Sequence, residues 1–169
     1  MPMKKKNAKS SATAPELSLS VQYGTPSNEV ARWRIRRWVQ RAIAGAHHAQ
    51  ALDCARAILT LVILNEKQAL SYNESYRGKA YATNVLTFEY GCDPDGTLSA
   101  DIVLCLPVLK QEAREQKKPL LHHAAHLVIH GTLHALGYDH VDNRDAQRME
   151  SLETEILSNM RIPDPYRAR

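Results

Sequence analysis

The sequence is poor in cysteine and has no long hydrophobic run, and these two shortages exclude whole classes of protein. Its three cysteines, Cys54, Cys92 and Cys105, form no C-x-x-C pair and leave an odd number, so a disulfide framework is not expected. No segment approaches the roughly 20 apolar residues of a membrane span, and no secretory leader is recognisable. We expect a protein of the reducing cytoplasm that does not enter a membrane, with Cys105 as a small core residue.

The sequence also has little net charge outside its first 14 residues. The 169-residue chain holds 22 Lys and Arg against 18 Asp and Glu. Four of the lysines lie in residues 1–14, which contain no acid, so residues 15–169 carry 18 basic and 18 acidic side chains. We expect residues 1–14 to be a disordered basic tail, either an electrostatic arm for RNA or a solubilising segment, and residues 15–169 to form one domain.

Positive charge is concentrated in one short segment near the start of that domain. A helix is predicted there because Ile35, Val39 and Ile43 form an apolar stripe at helical spacing. The arginines on the opposite face are Arg34, Arg37 and Arg41. Such a face is either solvated or contacts the phosphates of RNA, and we treat these three side chains as candidates for RNA-backbone contact.

The hydrophobic periodicity predicts a mixture of strands and helices. Strands are predicted over 17–23, 57–64, 83–88 and 98–106, the last two forming a hairpin through the turn residues 93–96. Helices are predicted near 66–74, from Pro107, from Pro119 and over an apolar stripe that ends near Met160. The fold class is α+β: a single domain in which a small mixed sheet of about four strands packs with about five helices.

Histidines carry the chemistry, because six of the eight lie between His122 and His140. His130 and His134 are four residues apart, which places both rings on one helix face within reach of one ion. Gly137 provides a helix stop, so that His140 is able to return as a third ligand. Three imidazoles with an open fourth position are typical of catalytic zinc. We predict one divalent ion per chain, with zinc as the first choice, on the central helix and the following turn.

Another histidine pair competes for this role. His126 precedes His134 by eight residues, about 12 Å along a helix, so the two cannot share an ion. The pair is therefore either His126 with His130 or His130 with His134, and only the second lies beside the glycine turn. His126 is expected behind the ligands or facing substrate, and Asp139 is expected to orient a metal-bound imidazole.

Gly131 separates this pattern from the zinc proteases, which place a glutamate directly after the first histidine. Without that glutamate, peptide hydrolysis by their route lacks its proton acceptor. The general base here stays open between His126, Asp139 and the substrate itself.

The run His-Gly-Thr-Leu-His-Ala-Leu-Gly-Tyr-Asp-His, residues 130–140, resembles the signature of the YbeY-type endoribonucleases, which are bacterial rRNA maturation factors. Residues 73–79, 83–88 and 101–105 also resemble that family, so the resemblance runs from about Leu17 to Tyr166. Departures are Ala80, Ala82, Thr87 and Ala135, where relatives often carry Asp, Pro, Ser and Leu.

This resemblance implies a metal-dependent endoribonuclease that cuts single-stranded RNA. It implies that Arg77 is catalytic together with His130, that Arg77 grips the scissile phosphate, and that Asn84 lies near the ligands or the substrate. It further implies a role in 3′-end maturation of 16S rRNA and in ribosome quality control, and contact with proteins of the small ribosomal subunit. No DNA specificity is expected.

Two other functions remain open at this point. The chain could be a non-catalytic ribosome-assembly factor that binds RNA and uses the metal only to hold its helix and turn together. The less favoured possibility is a minimal zinc protease, because of Gly131.

Overall fold

A computed structural model describes residues 13–77, 83–139 and 141–167, without the side chains of residues 76 and 77. Four strands and five helices are found there in an order close to the one predicted. The strands are β1 (Glu16–Tyr23), β2 (Arg56–Leu64), β3 (Val85–Cys92) and β4 (Thr97–Cys105). The helices are α1 (Arg32–Ala49), α2 (Glu66–Arg77), α3 (Leu106–Glu115), α4 (Leu120–Ala135) and α5 (Asn143–Asn159). The α+β class is confirmed.

The strands form one mixed sheet in the order β1-β2-β4-β3. β2 is parallel to both β1 and β4, whereas β3 pairs with β4 in the antiparallel direction. The β3–β4 hairpin turns at residues 93–96, as predicted, and Gly96 takes a positive φ there. β2 and β4 are therefore the inner strands, which explains why they hold more buried residues than the edge strands β1 and β3.

Helices α1, α4 and α5 pack together on one face of the sheet and enclose the main core. The predicted stripe of α1 is confirmed, since Ile35, Val39 and Ile43 are buried. The opposite sheet face holds a smaller cluster under α2 that includes Leu86, Val103 and Cys105, and Ile58 on that face remains 47% exposed. Cys105 is thus the core residue expected from the sequence.

α4 is the central helix, since it contacts β3, β4, α1, α3 and α5. Such a position is possible because its buried residues are mostly small or aliphatic, as at Ala124, Ala125, Val128 and Gly131. The histidines of α4 are therefore carried on a backbone that is supported on several sides.

Several predicted boundaries were wrong by a few residues. α2 continues three residues beyond Glu74, so Arg77 ends a helix instead of lying in a loop. Pro107 is the second residue of α3 and Pro119 immediately precedes α4, because prolines are tolerated where backbone N–H groups have no intrahelical acceptor. β3 extends to Cys92 through an irregularity in register between Glu89 and Gly91.

Among the described residues, no helix combines the length and the apolar character that crossing a membrane requires. The predicted tail, residues 1–14, falls outside the described residues except for its last two.

Candidate metal centre

Four histidines of α4 follow one another along a single face of the helix. The ring centroids of His123 and His126 are 6.4 Å apart, and those of His126 and His130 are 6.1 Å apart. The His130 and His134 rings approach more closely, at 4.7 Å. The helical periodicity read from the sequence therefore places these rings in a row, and the predicted ligand pair is the tightest contact within it.

Glu153 of α5 lies against this row and was missed by the sequence reasoning. Its carboxylate is fully buried, and His130 Nδ1 lies 2.6 Å from Oε2. The other oxygen, Oε1, accepts from His126 Nε2 at 3.0 Å and from the hydroxyl of Tyr166. Both carboxylate oxygens are thus engaged by hydrogen-bond donors.

The protonation of these groups follows from their contacts. Burial alone would raise the pKa of Glu153, but hydrogen bonds from His126, His130 and Tyr166 outweigh it and lower that pKa to about 2. Burial and the adjacent Glu153 charge raise the pKa of Tyr166. At neutral pH the carboxylate is ionised and the phenol is protonated, so His126 donates through Nε2 and His130 through Nδ1. Nε2 of His130, on the opposite edge of the ring, is then the nitrogen suited to a metal.

Two sets of residues could hold an ion. Ligand atoms of His126, His130 and Glu153 all lie within 4.8 Å of one another. The set predicted from the sequence uses His130 and His134 with His140, but His140 lies outside the described residues. Both sets share His130. The first offers two imidazoles and a carboxylate and the second three imidazoles, and both combinations suit zinc.

α4 ends as the sequence predicted, at the glycine turn. Gly137 has a φ of 107°, its N–H donates to His134 O, and Tyr138 N–H donates to Leu133 O. This pair of hydrogen bonds is a Schellman motif, which ends the helix and reverses the chain. Asp139, which follows, is exposed, and its described hydrogen bond is accepted from Val141 N–H. The carboxylate that contacts a candidate ligand among the described residues is Glu153.

Position 131 has no room for the glutamate of a zinc protease. A Cβ atom at Gly131 would lie 3.0 Å from Ile102 Cγ2 and 3.4 Å from Thr87 Oγ1. The Thr87 hydroxyl also donates to Gly131 O at 3.4 Å. Gly131 is therefore a packing residue that lets α4 approach β3 and β4, and a side chain here would face the sheet.

Asn84 belongs to a different cluster, which is only partly buried. Its side-chain amide lies 3.2 Å from Glu112 Oε1, and the same oxygen contacts His123 Nε2 at 2.8 Å. Burial lowers the pKa of His123 more than the Glu112 contact raises it. The structure thus joins Asn84 to α3 and to the first histidine of the row, and the described contacts of Asn84 do not include His130 or His134.

The arginine candidates are distributed differently. Arg34 and Arg37 line a groove beside α1, whereas Arg41 is exposed and is not among the described residues of that groove. Arg77 closes α2, and its side chain lies outside what the structure describes, as do Ala80 and Ala82.

The sequence pattern of the family described as Endoribonuclease YbeY matches residues 21–161 of this chain. The chain belongs to the YbeY endoribonuclease family. A Bordetella petrii protein named Endoribonuclease YbeY is 60% identical over 152 residues, covering 90% of this chain and 98% of its own. Its namesake in Bordetella pertussis is 57% identical over 155 residues, covering 92% and 99%. Another from Thiobacillus denitrificans is 47% identical over 154 residues, covering 90% and 98%.

A solved structure supports the fold of this YbeY family member. The solution structure of TM1509 from Thermotoga maritima is 19% identical, with a TM-score of 0.51, and the match covers 89% of this chain and all of that one. At this identity the likeness concerns the fold alone. The family match includes Arg77, the row of histidines and Glu153, while Tyr166, which donates to Glu153, lies beyond its end.

Proposed function

We propose that this chain is a metal-dependent endoribonuclease that cuts single-stranded RNA and acts in 3′-end maturation of 16S rRNA and in ribosome quality control. The activity is that named for its relatives, which match nearly the whole chain. The observation that carries the proposal is the contact between His130 and the buried, ionised Glu153, since metal-bound histidines usually donate their second nitrogen to a carboxylate or carbonyl.

We propose His130, His134 and His140 as the ligands, with Glu153 and His126 behind them. The closest ring contact in the row joins His130 to His134. Glu153 already accepts hydrogen bonds on both oxygens and is fully buried, so an ion bound to it would compete with three donors. As an acceptor from His130, Glu153 instead fixes the tautomer and the ring orientation.

When bound, a divalent ion supplies positive charge for the non-bridging phosphate oxygens and acidifies water toward a pKa of about 7. Arg77 offers a planar guanidinium that pairs with phosphate oxygens and stays charged at any working pH. Its proposed role is to hold the scissile phosphate, where negative charge gathers in the transition state. Residues His130 and His134 keep a fixed geometry because α4 is held on several sides.

The activity is tested with purified full-length protein and matched single-stranded and duplex RNAs of the same sequence. We expect cutting of the single strand that stops with a chelator and returns with zinc. Arg77→Ala should lower the rate by about 10²- to 10³-fold, as removal of one transition-state donor does. Lys67→Ala, an exposed cation on the same helix, is the matched control and should cut normally.

Other outcomes would contradict the proposal. Cutting that persists both in chelator and in Arg77→Ala would come from a different activity or from a contaminant. RNA binding without any cutting would favour a non-catalytic assembly factor. Unfolding on chelation, followed by circular dichroism, would favour a structural ion.

The cellular role needs a separate measurement. A strain depleted of this protein should accumulate 16S rRNA with an extended 3′ end. It should also contain a larger fraction of defective small ribosomal subunits. Wild-type and Lys67→Ala proteins should restore the mature end, and Arg77→Ala should not. Co-purification with proteins of the small ribosomal subunit is expected as well. A normal 16S 3′ end in the depleted strain would remove the rRNA role while leaving the RNA-cutting activity in place.

A further inference from the structure

An exposed tryptophan lies on α1, far in sequence from the row of histidines. Trp33 is 60% exposed, and the guanidinium of Arg34 lies over its ring at 4.4 Å from the centroid. A large aromatic ring that faces solvent beside cations is typical of a surface on which a base can stack. The second tryptophan of the chain, Trp38, is buried in the core, and it also borders the groove beside Trp33.

Trp33 borders a groove of about 620 Å³ between α1 and the start of α4. Arg34 and Arg37 line it from α1, and His122 lines it from α4. A second cavity, of about 340 Å³, lies beside His126 and is lined by Lys117, Lys118 and Arg167. Both share Pro119, His122 and Ile162 as walls. We call the two together the tryptophan groove; it extends from Trp33 to His126, which contacts Glu153.

The charge of the tryptophan groove is one-sided. Its described lining includes two arginines of α1 together with Lys117, Lys118 and Arg167. The only carboxylate among the described lining residues is Glu29, which already pairs with Lys110 at 3.0 Å. Because residues 15–169 carry equal numbers of acidic and basic side chains, the excess of positive charge is confined to this part of the surface. A polyanion with exposed rings is the occupant that such a lining favours.

We propose that the tryptophan groove binds the flanking part of a single-stranded RNA, with a base stacked on Trp33 and phosphates on Arg34 and Arg37. This inference rests on the proposed function and adds a second RNA contact to it. A single strand is required because a duplex keeps its base faces stacked and cannot offer one to Trp33. His122 and His130 are separated by about 12 Å of helix, so an RNA that reaches both ends must be several nucleotides long.

The test compares RNAs of two lengths. A 2′-O-methyl dodecanucleotide, checked on a denaturing gel for integrity, measures binding to the full-length protein by anisotropy and by tryptophan fluorescence. Cleavage kinetics are followed with the unmodified dodecanucleotide and with a trinucleotide. Binding should quench the tryptophan fluorescence. Trp33→Phe keeps only the buried Trp38 and should lose most of that quenching.

Trp33→Ala should weaken dodecanucleotide binding by about 5- to 100-fold, the usual effect of losing one base–aromatic stack. The loss should appear in KM for the dodecanucleotide with kcat unchanged, and trinucleotide cleavage should be unaffected. Trp33→Phe keeps a ring and should retain most of the affinity. These side chains are exposed or border a groove, so folding is expected to persist and is checked by circular dichroism.

The binding constant for the dodecanucleotide should fall as salt is added, and Arg34→Ala/Arg37→Ala should make this fall less steep. The slope of log K against log salt should become less negative by about 1.4, the value for two single-strand phosphate contacts. Lys67→Ala/Arg114→Ala removes the same two charges from exposed positions outside the groove and is the matched control. Equal dodecanucleotide binding by wild type, Trp33→Ala and the double variant would overturn the proposal that the tryptophan groove binds RNA, and would favour a protein partner for it. The proposed endoribonuclease activity would not be affected by that result. Wild-type protein that neither binds nor cuts RNA would overturn the proposed function and this inference together.

Discussion

The residue whose role the structure changes most is Glu153. It occupies a position of α5 between Leu152 and Ile156, within a buried stripe. An acid at such a position is fully buried only when it has partners, and here the partners come from α4 and from Tyr166. The contact with His130 therefore joins two helices at the candidate metal centre.

Glu153→Gln tests this role. An amide cannot accept from His130, His126 and Tyr166 as the carboxylate does, so the ring of His130 loses its fixed tautomer. We expect zinc affinity, measured by competition with a chromophoric chelator, to fall by about 10- to 100-fold with one ion still bound. Glu155→Gln, an exposed acid on the same helix, should bind zinc as the wild type does. Unchanged affinity in Glu153→Gln would exclude the positioning role, and complete loss of zinc would make Glu153 a ligand.

At this scale the sequence predicts local relations and misses distant ones. His130 and His134 are recognisable because helical periodicity fixes the separation of residues four apart. Glu153 follows His130 by 23 positions, and their contact depends on how α5 packs on α4. The feature of the sequence that indicates a special role for Glu153 is its position inside the apolar stripe of α5. Asp139 is predicted to orient a metal-bound imidazole because such rings usually donate their second nitrogen to a carboxylate or carbonyl. Its described hydrogen bond is a local one from Val141 N–H, and His140 lies outside the described residues, so that role stays a prediction.

At the scale of elements, the position of α5 depends on a close approach to α1. A Cβ atom at Gly45 would lie 2.6 Å from Ile156 Cγ1 and 2.9 Å from Ile156 Cδ1. Ile156 is itself 4% exposed and has little room to move. Because Ile156 lies one helical turn after Glu153, the spacing between α1 and α5 also sets the position of that carboxylate.

Gly45→Ala should therefore lower the free energy of unfolding by about 1–3 kcal/mol, as overpacking of a core does. This loss should exceed the gain of about 1 kcal/mol that alanine brings to a helix interior. The urea midpoint measures it, and zinc affinity should fall in parallel. Ala44→Gly, at an exposed neighbouring position, should lose only the helix-propensity contribution. A Gly45→Ala protein more stable than wild type would refute the close packing.

Most elements were predictable because alternation and helical stripes report burial directly, as in β1 and α1. The strand order β1-β2-β4-β3 was not predictable. β2 pairs in parallel with β4, although β3 comes between them in the sequence, and β3 lies at the edge of the sheet. α2 runs past its predicted end near Glu74 to Arg77 because residues 73–77 contain no glycine or proline, and the first glycine after them is Gly78.

At the scale of the whole molecule, the sheet and three helices hold a row of histidines whose last pair lies beside a chain reversal. An ion that binds only the folded chain stabilises all of it, by about 2.7 kcal/mol at a free concentration 100 times its Kd. The two candidate ligand sets differ in which substitution should abolish the stabilisation by the ion. The set with His134 needs that ring, whereas the set with Glu153 needs His126.

The most direct measurement is the zinc content and zinc-dependent melting temperature of His134→Gln and His126→Gln, with the exposed His48→Gln as control. The account predicts about one zinc ion per chain, with stabilisation by zinc, in wild type, His48→Gln and His126→Gln, because three proposed ligands remain. It predicts little bound zinc and little stabilisation in His134→Gln. Zinc retained by His134→Gln and lost from His126→Gln would contradict it and assign the ion to His126, His130 and Glu153.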